Sequence, residues 1–222
     1  MGGQRGVAPA RRRGLADEVA DSIREAIFNG TYAPGASLRE VELSQALEVS
    51  RGPVREALLR LEREGLVRTA WHRGATVTTL SAEDIAELDS LRGALEQLAV
   101  QRVAAHASDE DIAAIDDAAR RMERAEDAHA MVHCDIAFHD AVYAAARHRR
   151  LQEAWQAIRS QVHLFLLTRI AVSSEHYVDH LPGEHRDLAA ALRARDADAA
   201  LELFATHRRH AFDILAGTGD GD

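Results

Sequence analysis

Nine residues, Ser50-Arg51-Gly52-Pro53-Val54-Arg55-Glu56-Ala57-Leu58, constrain the fold more than any other stretch of the chain. They read as the first two turns of a helix. The Ser50 hydroxyl can accept from a free first-turn N–H, which makes it a good N-cap. Pro53 sits where a missing N–H costs little. Val54, Leu58 and Leu61 mark an inward face at helical spacing. Arg51 and Arg55 are four residues apart and project from one side. Two guanidiniums at the exposed start of a helix can fork onto guanine O6 and N7, or clamp phosphate oxygens. This is how a helix-turn-helix presents its recognition helix. The bland alternative is a solvated face, with Arg51 paired to Glu48 and Arg55 to Glu56.

The flanks fit such a unit over residues 15–80. Leu15, Val19, Ile23 and Ile27 recur every fourth residue and predict a helix ending near Asn29-Gly30. Tyr32-Ala33-Pro34-Gly35 reads as a turn. Ser37-Leu38-Arg39-Glu40 has capping-box spacing and predicts a second helix from Ser37 through Leu47. Glu48-Val49 is the tight turn into the Ser50 helix, which runs to about Glu64 before Gly65 stops it. Leu66-Val67-Arg68-Thr69 and Ala75-Thr76-Val77-Thr78 alternate like strands around the turn Trp71-His72-Arg73-Gly74. Three helices and a hairpin make a winged helix-turn-helix. Residues 1–14, rich in Gly, Ala and Arg, read as a disordered basic arm.

Ser81-Ala82-Glu83-Asp84 opens a second region with another capping signal. Helices are expected over 82–106, 109–125, 128–147, 149–171, 183–195 and 197–215, with Pro182 marking one start. The fold class is therefore mainly α: a winged helix-turn-helix followed by an all-α bundle of about six helices over residues 81–216. Residues 217–222 read as a disordered tail.

The formal charge of −9 speaks against nucleic-acid binding only if it is averaged. Residues 1–80 hold 12 Arg against 10 acidic residues, net +2, and residues 81–222 hold 15 against 26, net −11. That asymmetry suits a DNA-contacting head on an acidic body. A lone Cys134 excludes an intramolecular disulfide framework and suits the cytoplasm. No apolar run is long enough for a membrane span.

Four polar residues stand on stripes that should be apolar. Asp135 and His139 lie one turn apart among Met131, Phe138 and Val142. His185 stands with Leu188, Ala189 and Leu192, and His207 with Ala200, Leu203, Phe204, Ala211 and Ile214. A buried carboxylate among imidazoles is costly unless something pairs it. One divalent transition metal per chain would do so, with zinc ahead of nickel, copper or iron. Hydrogen-bonded core histidines are the alternative. Arg92 and Arg169 also face inward. A guanidinium there wants an anion, either a small organic-acid effector or, for Arg92, Glu96 one turn on. His129, His148, His163 and His210 read as surface or boundary residues. His133 points away from the Asp135 stripe. His176 and His180 read as loop residues, and Cys134 as a small buried hydrophobe.

The chain resembles the GntR family of bacterial transcription regulators, in its FadR/FCD branch. The likeness rests on Ile27-x-x-Gly30, Pro34-Gly35, Leu38-x-Glu40, Leu43, the run Val49 to Leu58, Leu61-Glu62-x-Glu64-Gly65-Leu66-Val67 and Arg73-Gly74. It continues with Arg92-x-x-x-Glu96, Asp135-x-x-x-His139, Glu184-His185 and His207. The resemblance implies a homodimer that binds a palindromic operator on double-stranded DNA and usually represses. It implies DNA contacts from the segment around Ser50 and Pro53, from Arg39, Arg51 and Arg55, and from a wing tip, Arg73-Gly74, in the minor groove. It implies Asp135, His139, His185 and His207 as metal ligands, and a small carboxylate effector. Gly52 departs from a usual threonine, and Arg147-His148-Arg149 from a commoner Gly-Asn-Pro. Two rivals remain: a sensor in which the ion is the signal, and a metalloenzyme fused to a DNA-binding head.

Overall fold

A computed structural model describes residues 14–70, 74–172 and 174–216; for residues 70, 174–177 and 212–216 only the backbone is described. The expected basic arm (apart from Gly14), the tail and Arg73 of the wing tip lie outside the described residues.

The head begins with α1 (Leu15–Phe28), whose Asp17 carboxylate accepts from the Gly14 N–H at 3.1 Å. Val19, Ile23 and Ile27 are buried at fourfold spacing, as the pattern predicts. Leu15 is not; it is half exposed, and Ala16 takes the inward place. Ser37 does not start a helix. Ser37–Leu38 form a short strand, β1, which pairs antiparallel with the wing, Ser37 opposite Thr76. The capping spacing misled because the buried Leu38 serves the sheet, and the helix α2 (Glu40–Ala46) starts two residues later behind Arg39. Glu48, at φ +52°, takes a left-handed turn conformation into α3 (Arg51–Arg63).

Val54, Ala57, Leu58 and Leu61 of α3 pack on α1. Gly65 closes α3 at φ +73°, and a Cβ there would sit within 3 Å of the Gln161 side chain. β2 (Val67–Ala70) and β3 (Gly74–Val77) complete a three-stranded sheet of order β1-β3-β2.

The body follows as α4 (Ala82–His106), α5 (Asp109–Arg121) ending in a 3-10 turn (Met122–Arg124), α6 (Ala128–Ala145), α7 (Arg149–Val172), α8 (Ser174–Arg193) and α9 (Ala197–Ala216). Ser81 and Ser108 each form a reciprocal capping box, with Asp84 and Asp111. α6 lies at the centre, against α4, α5, α7 and α8. Two expectations fail here. α8 starts at Ser174, so Pro182 lies inside the helix and His180 is helical, not in a loop. Leu181 and the half-buried Val178 pack into the core ahead of the proline, and that packing carries the helix through it. Leu203 is exposed, although its spacing predicts an inward position. At the departure from the family pattern, Arg147 itself adopts φ +47°, and its guanidinium pairs with Asp111 at 2.8 Å.

The head sits directly on the body. Arg24 grips Glu64 at the end of α3 through two bonds of 2.9 and 2.6 Å, and Ser160 of α7 donates to the same carboxylate at 3.3 Å. Phe28 stacks on His163 with ring centroids 3.6 Å apart. His163 is therefore fully buried, not a boundary residue, and neither ring nitrogen has a hydrogen-bond partner among the described residues. Burial, with help from His133 and Arg159, pushes its pKa down to about 3.

Candidate metal centre and nucleic-acid interface

The helix-turn-helix presents three arginines well over half exposed: Arg39, Arg51 and Arg55. Neither Glu48 nor Glu56 partners them. Glu40, the first residue of α2, holds both arginines of α3. It accepts from Arg51 Nη2 at 3.1 Å and from Arg55 through a fork, Nε at 3.1 Å and Nη2 at 2.8 Å. The Arg55 hydrogen bond, above all, keeps the Glu40 carboxyl below its ordinary pKa. Glu40 was legible only as part of a motif, because an ion pair eleven and fifteen residues apart depends on how α2 crosses α3. Arg39 pairs with Glu42 at 3.1 Å. Ser50 has the extended backbone of an N-cap, but its side chain makes no capping bond, so its hydroxyl is available at the outer end of α3. Pro53 is the third helical residue, where no intrahelical N–H bond is lost. Gly74 opens β3, exposed, at φ +82°.

In the body, Asp135, His139, His185 and His207 come together from α6, α8 and α9. All four are buried, and one ligand atom from each lies within 4.8 Å of the others. Hydrogen bonds on the far side of two of the rings fix their orientation. His185 Nδ1 meets the Leu181 carbonyl at 3.0 Å, and His207 Nδ1 meets Glu184 at 2.8 Å. A carbonyl and a carboxylate only accept, so both Nδ1 atoms donate, leaving the Nε2 lone pairs for the cluster. Arg92, a pure donor, reaches His139 Nε2 at 2.8 Å, so that nitrogen too is an acceptor. Burial lowers the pKa of His139 and brings that of His207 to about 4. Asp135 Oδ1 lies 3.2 Å from His185 Nε2 and 3.3 Å from His139 Nε2. Acceptors facing one another at that distance call for a cation between them, and the donor set suits a borderline divalent ion.

Arg92 makes the internal pair expected as the alternative to an effector contact. Its Nε bonds Glu96 at 2.7 Å while its Nη2 touches the cluster. Glu96 also accepts from Arg208 of α9 at 2.7 Å. Burial would raise the Glu96 carboxyl, but the guanidiniums of Arg92 and Arg208 keep it low. Arg169 is buried on α7 and does not line the small cavity beside Arg92. Sequence reasoning missed Arg208 and the orienting role of Glu184. The imidazole needs a partner on its far nitrogen, and that requirement was the available signal for Glu184. Cys134 is half-buried.

A mainly helical body behind a helix-turn-helix head with exposed arginines defines a DNA-binding protein with a separate helical domain. Residues 15–77 match the family described as bacterial regulatory proteins, gntR family, and residues 84–210 match the FCD domain. The chain belongs to the GntR family, with a C-terminal FCD domain, and is a DNA-binding transcriptional regulator, not an enzyme. It is 32% identical over 200 residues to a probable D-xylose utilization operon transcriptional repressor of Paenarthrobacter nicotinovorans, covering 88% of this chain and 86% of that one. An uncharacterised helix-turn-helix regulator of Bacillus subtilis is 27% identical over 195 residues, with 86% of each covered. A solved GntR regulator of Rhodococcus sp. RHA1 superposes with a TM-score of 0.81 at 30% identity, covering 90% of this chain and 97% of that one.

Proposed function

We propose that this chain is a cytoplasmic homodimeric repressor whose hold on a palindromic operator is set by a small organic acid bound beside a divalent metal. The observation that carries the reading is the convergence of one nitrogen from each of three buried imidazoles and the Asp135 carboxylate within 4.8 Å, with the Arg92 guanidinium beside them. Asp135, His139, His185 and His207 hold one ion per chain, zinc foremost. Such an ion supplies a Lewis-acidic anchor for a carboxylate oxygen. Arg92 supplies the opposing positive charge, Glu184 and the Leu181 carbonyl keep the rings aimed, and Phe138 and Phe204 exclude water.

In the head, residues 15–80, Arg51 and Arg55 read base edges. Arg39 and the Ser50–Pro53 turn hold phosphate, and Arg73-Gly74 enters the minor groove. Supporting the dimer, Leu91 and Leu98 stand exposed seven residues apart on the outer face of α4. No described helix is long and apolar enough to cross a membrane. The repressor sense is taken from the P. nicotinovorans relative.

The test is elemental analysis of protein purified without an affinity tag, beside His185→Ala. About one equivalent of a transition metal, lost in the variant while operator binding persists, is expected. Less than about a tenth of an equivalent in the parent would mean that these four residues are core polar groups.

A further inference from the structure

A cavity of about 20 Å³ lies between α4, α7 and α9, walled by Ile85, Leu88, Val162, Phe165 and Ala211. Its polar lining is Asp89, Arg92 and Arg208. That volume holds one water and no organic acid, so a ligand needs something to move. Arg208 is the side chain placed to do so. Its guanidinium lies across the middle of α4, with Nη1 on Glu96 at 2.7 Å and Nε 3.4 Å from Asp89. Nε is buried and makes no hydrogen bond among the described residues. The crossing runs close over residue 93, which is glycine. A Cβ there would stand 2.9 Å from Arg208 Nη2 and 3.1 Å from Cζ. Glycine inside a 25-residue helix is otherwise a weakness. The helix gives up stability at one position, and Arg208 occupies the space.

We propose that Arg208 is a latch on this cavity and a ligand-contacting residue, releasing Glu96 to grip the carboxylate of a short organic acid with an apolar body. The inference rests on the effector reading above. A ligand carboxylate offers two oxygens to a guanidinium that Glu96 and Asp89 leave incompletely bonded. The five apolar walls exclude a polyhydroxylated body, whose hydroxyls would lose water without replacement.

The experiment is thermal stabilisation and calorimetric titration of the full chain with butyrate, glutarate and gluconate. It is run on wild type, Arg208→Gln, Arg208→Lys and Gly93→Ala, with metal content measured on every sample. Wild type should be stabilised by butyrate or glutarate and not by gluconate. Arg208→Gln should bind on the order of tenfold more weakly or worse, and Arg208→Lys should recover part of the loss, with metal content unchanged in both. Gly93→Ala, ordinarily stabilising inside a helix, should instead lower the melting temperature, because the new methyl group displaces the latch. Equal affinity in wild type and Arg208→Gln, or a raised melting temperature in Gly93→Ala, overturns the latch while leaving the effector reading standing. A wild type stabilised by gluconate alone, or by none of the three, overturns the ligand class. A metal-free wild type that still binds the acid overturns the metal reading and not the latch.

Discussion

The head and the body contain the same device in two settings. In the head, Glu40 holds Arg51 and Arg55; in the body, Glu96 holds Arg92 and Arg208. Both are one carboxylate shared by two guanidiniums. The difference is water. Arg51 and Arg55 are about 60% exposed, while Glu96 is 1% exposed. An exposed pair contributes little and exchanges its partner readily, so a phosphate can take the place of Glu40. A buried pair is expensive to break, because a charge is left without solvent or partner. The first arrangement aims side chains at a surface they have yet to meet. The second locks a site until something of like charge replaces the carboxylate.

The largest expected effect tests that contrast directly. Glu96→Gln should destabilise the fold by about 3–5 kcal/mol, since it leaves the buried Arg92 and the half-buried Arg208 without their shared carboxylate. Glu40→Gln should cost less than about 1 kcal/mol. Urea unfolding of the two variants checks both, and equal losses would erase the distinction. Next comes the DNA surface. Arg51→Ala and Arg55→Ala should each reduce discrimination between cognate and scrambled duplex by roughly ten- to a hundredfold. Arg39→Ala should weaken both duplexes alike. Fluorescence anisotropy separates these outcomes, and an Arg51→Ala/Arg55→Ala protein with unaltered affinities would remove Glu40 from any role in aiming them.

The smallest effect concerns His163, buried like Glu96 but without a countercharge. Its pKa of about 3 lies below the ordinary 6.5, so the unfolded chain takes up the proton first. Its contribution to stability is therefore intact above pH 6.5 and is lost progressively as the pH falls toward 3. His163→Leu should flatten that part of the profile and add about 1 kcal/mol at pH 7, because two unbonded nitrogens leave the core. Urea midpoints at pH 7 and pH 4.5, variant against wild type, give the answer.

What the sequence made legible was what a short window determines. The recognition helix, the capping box of Ser81, the burial of Asp135, His139, His185 and His207 and the inward Arg92 all follow from local spacing. What it hid was pairing across elements. Glu40 with Arg55, Glu184 with His207 and Glu96 with Arg208 are separated by 15, 23 and 112 residues, and no periodicity links them. Ser37 and Pro182 misled for a related reason. Each carries a local signal that tertiary contact overrode, β3 pairing with Ser37 and core packing holding the turn before Pro182.

The short stretch of α7 from Ser160 to Phe165 has a consequence for how far a message must travel. Ser160 and His163 carry the head, through Glu64 and Phe28. Val162 and Phe165, on the opposite side of the same turns, wall the cavity under Arg208. The two surfaces are separated by the thickness of one helix, about 10 Å with side chains. No relay of residues has to connect them. Whatever presses on Phe165 presses on the bearing that supports the end of the recognition helix. From Glu64, α3 extends 13 residues, about 20 Å, to the arginines at its far tip. A tilt of a few degrees at the bearing becomes a displacement of an ångström or so at the DNA.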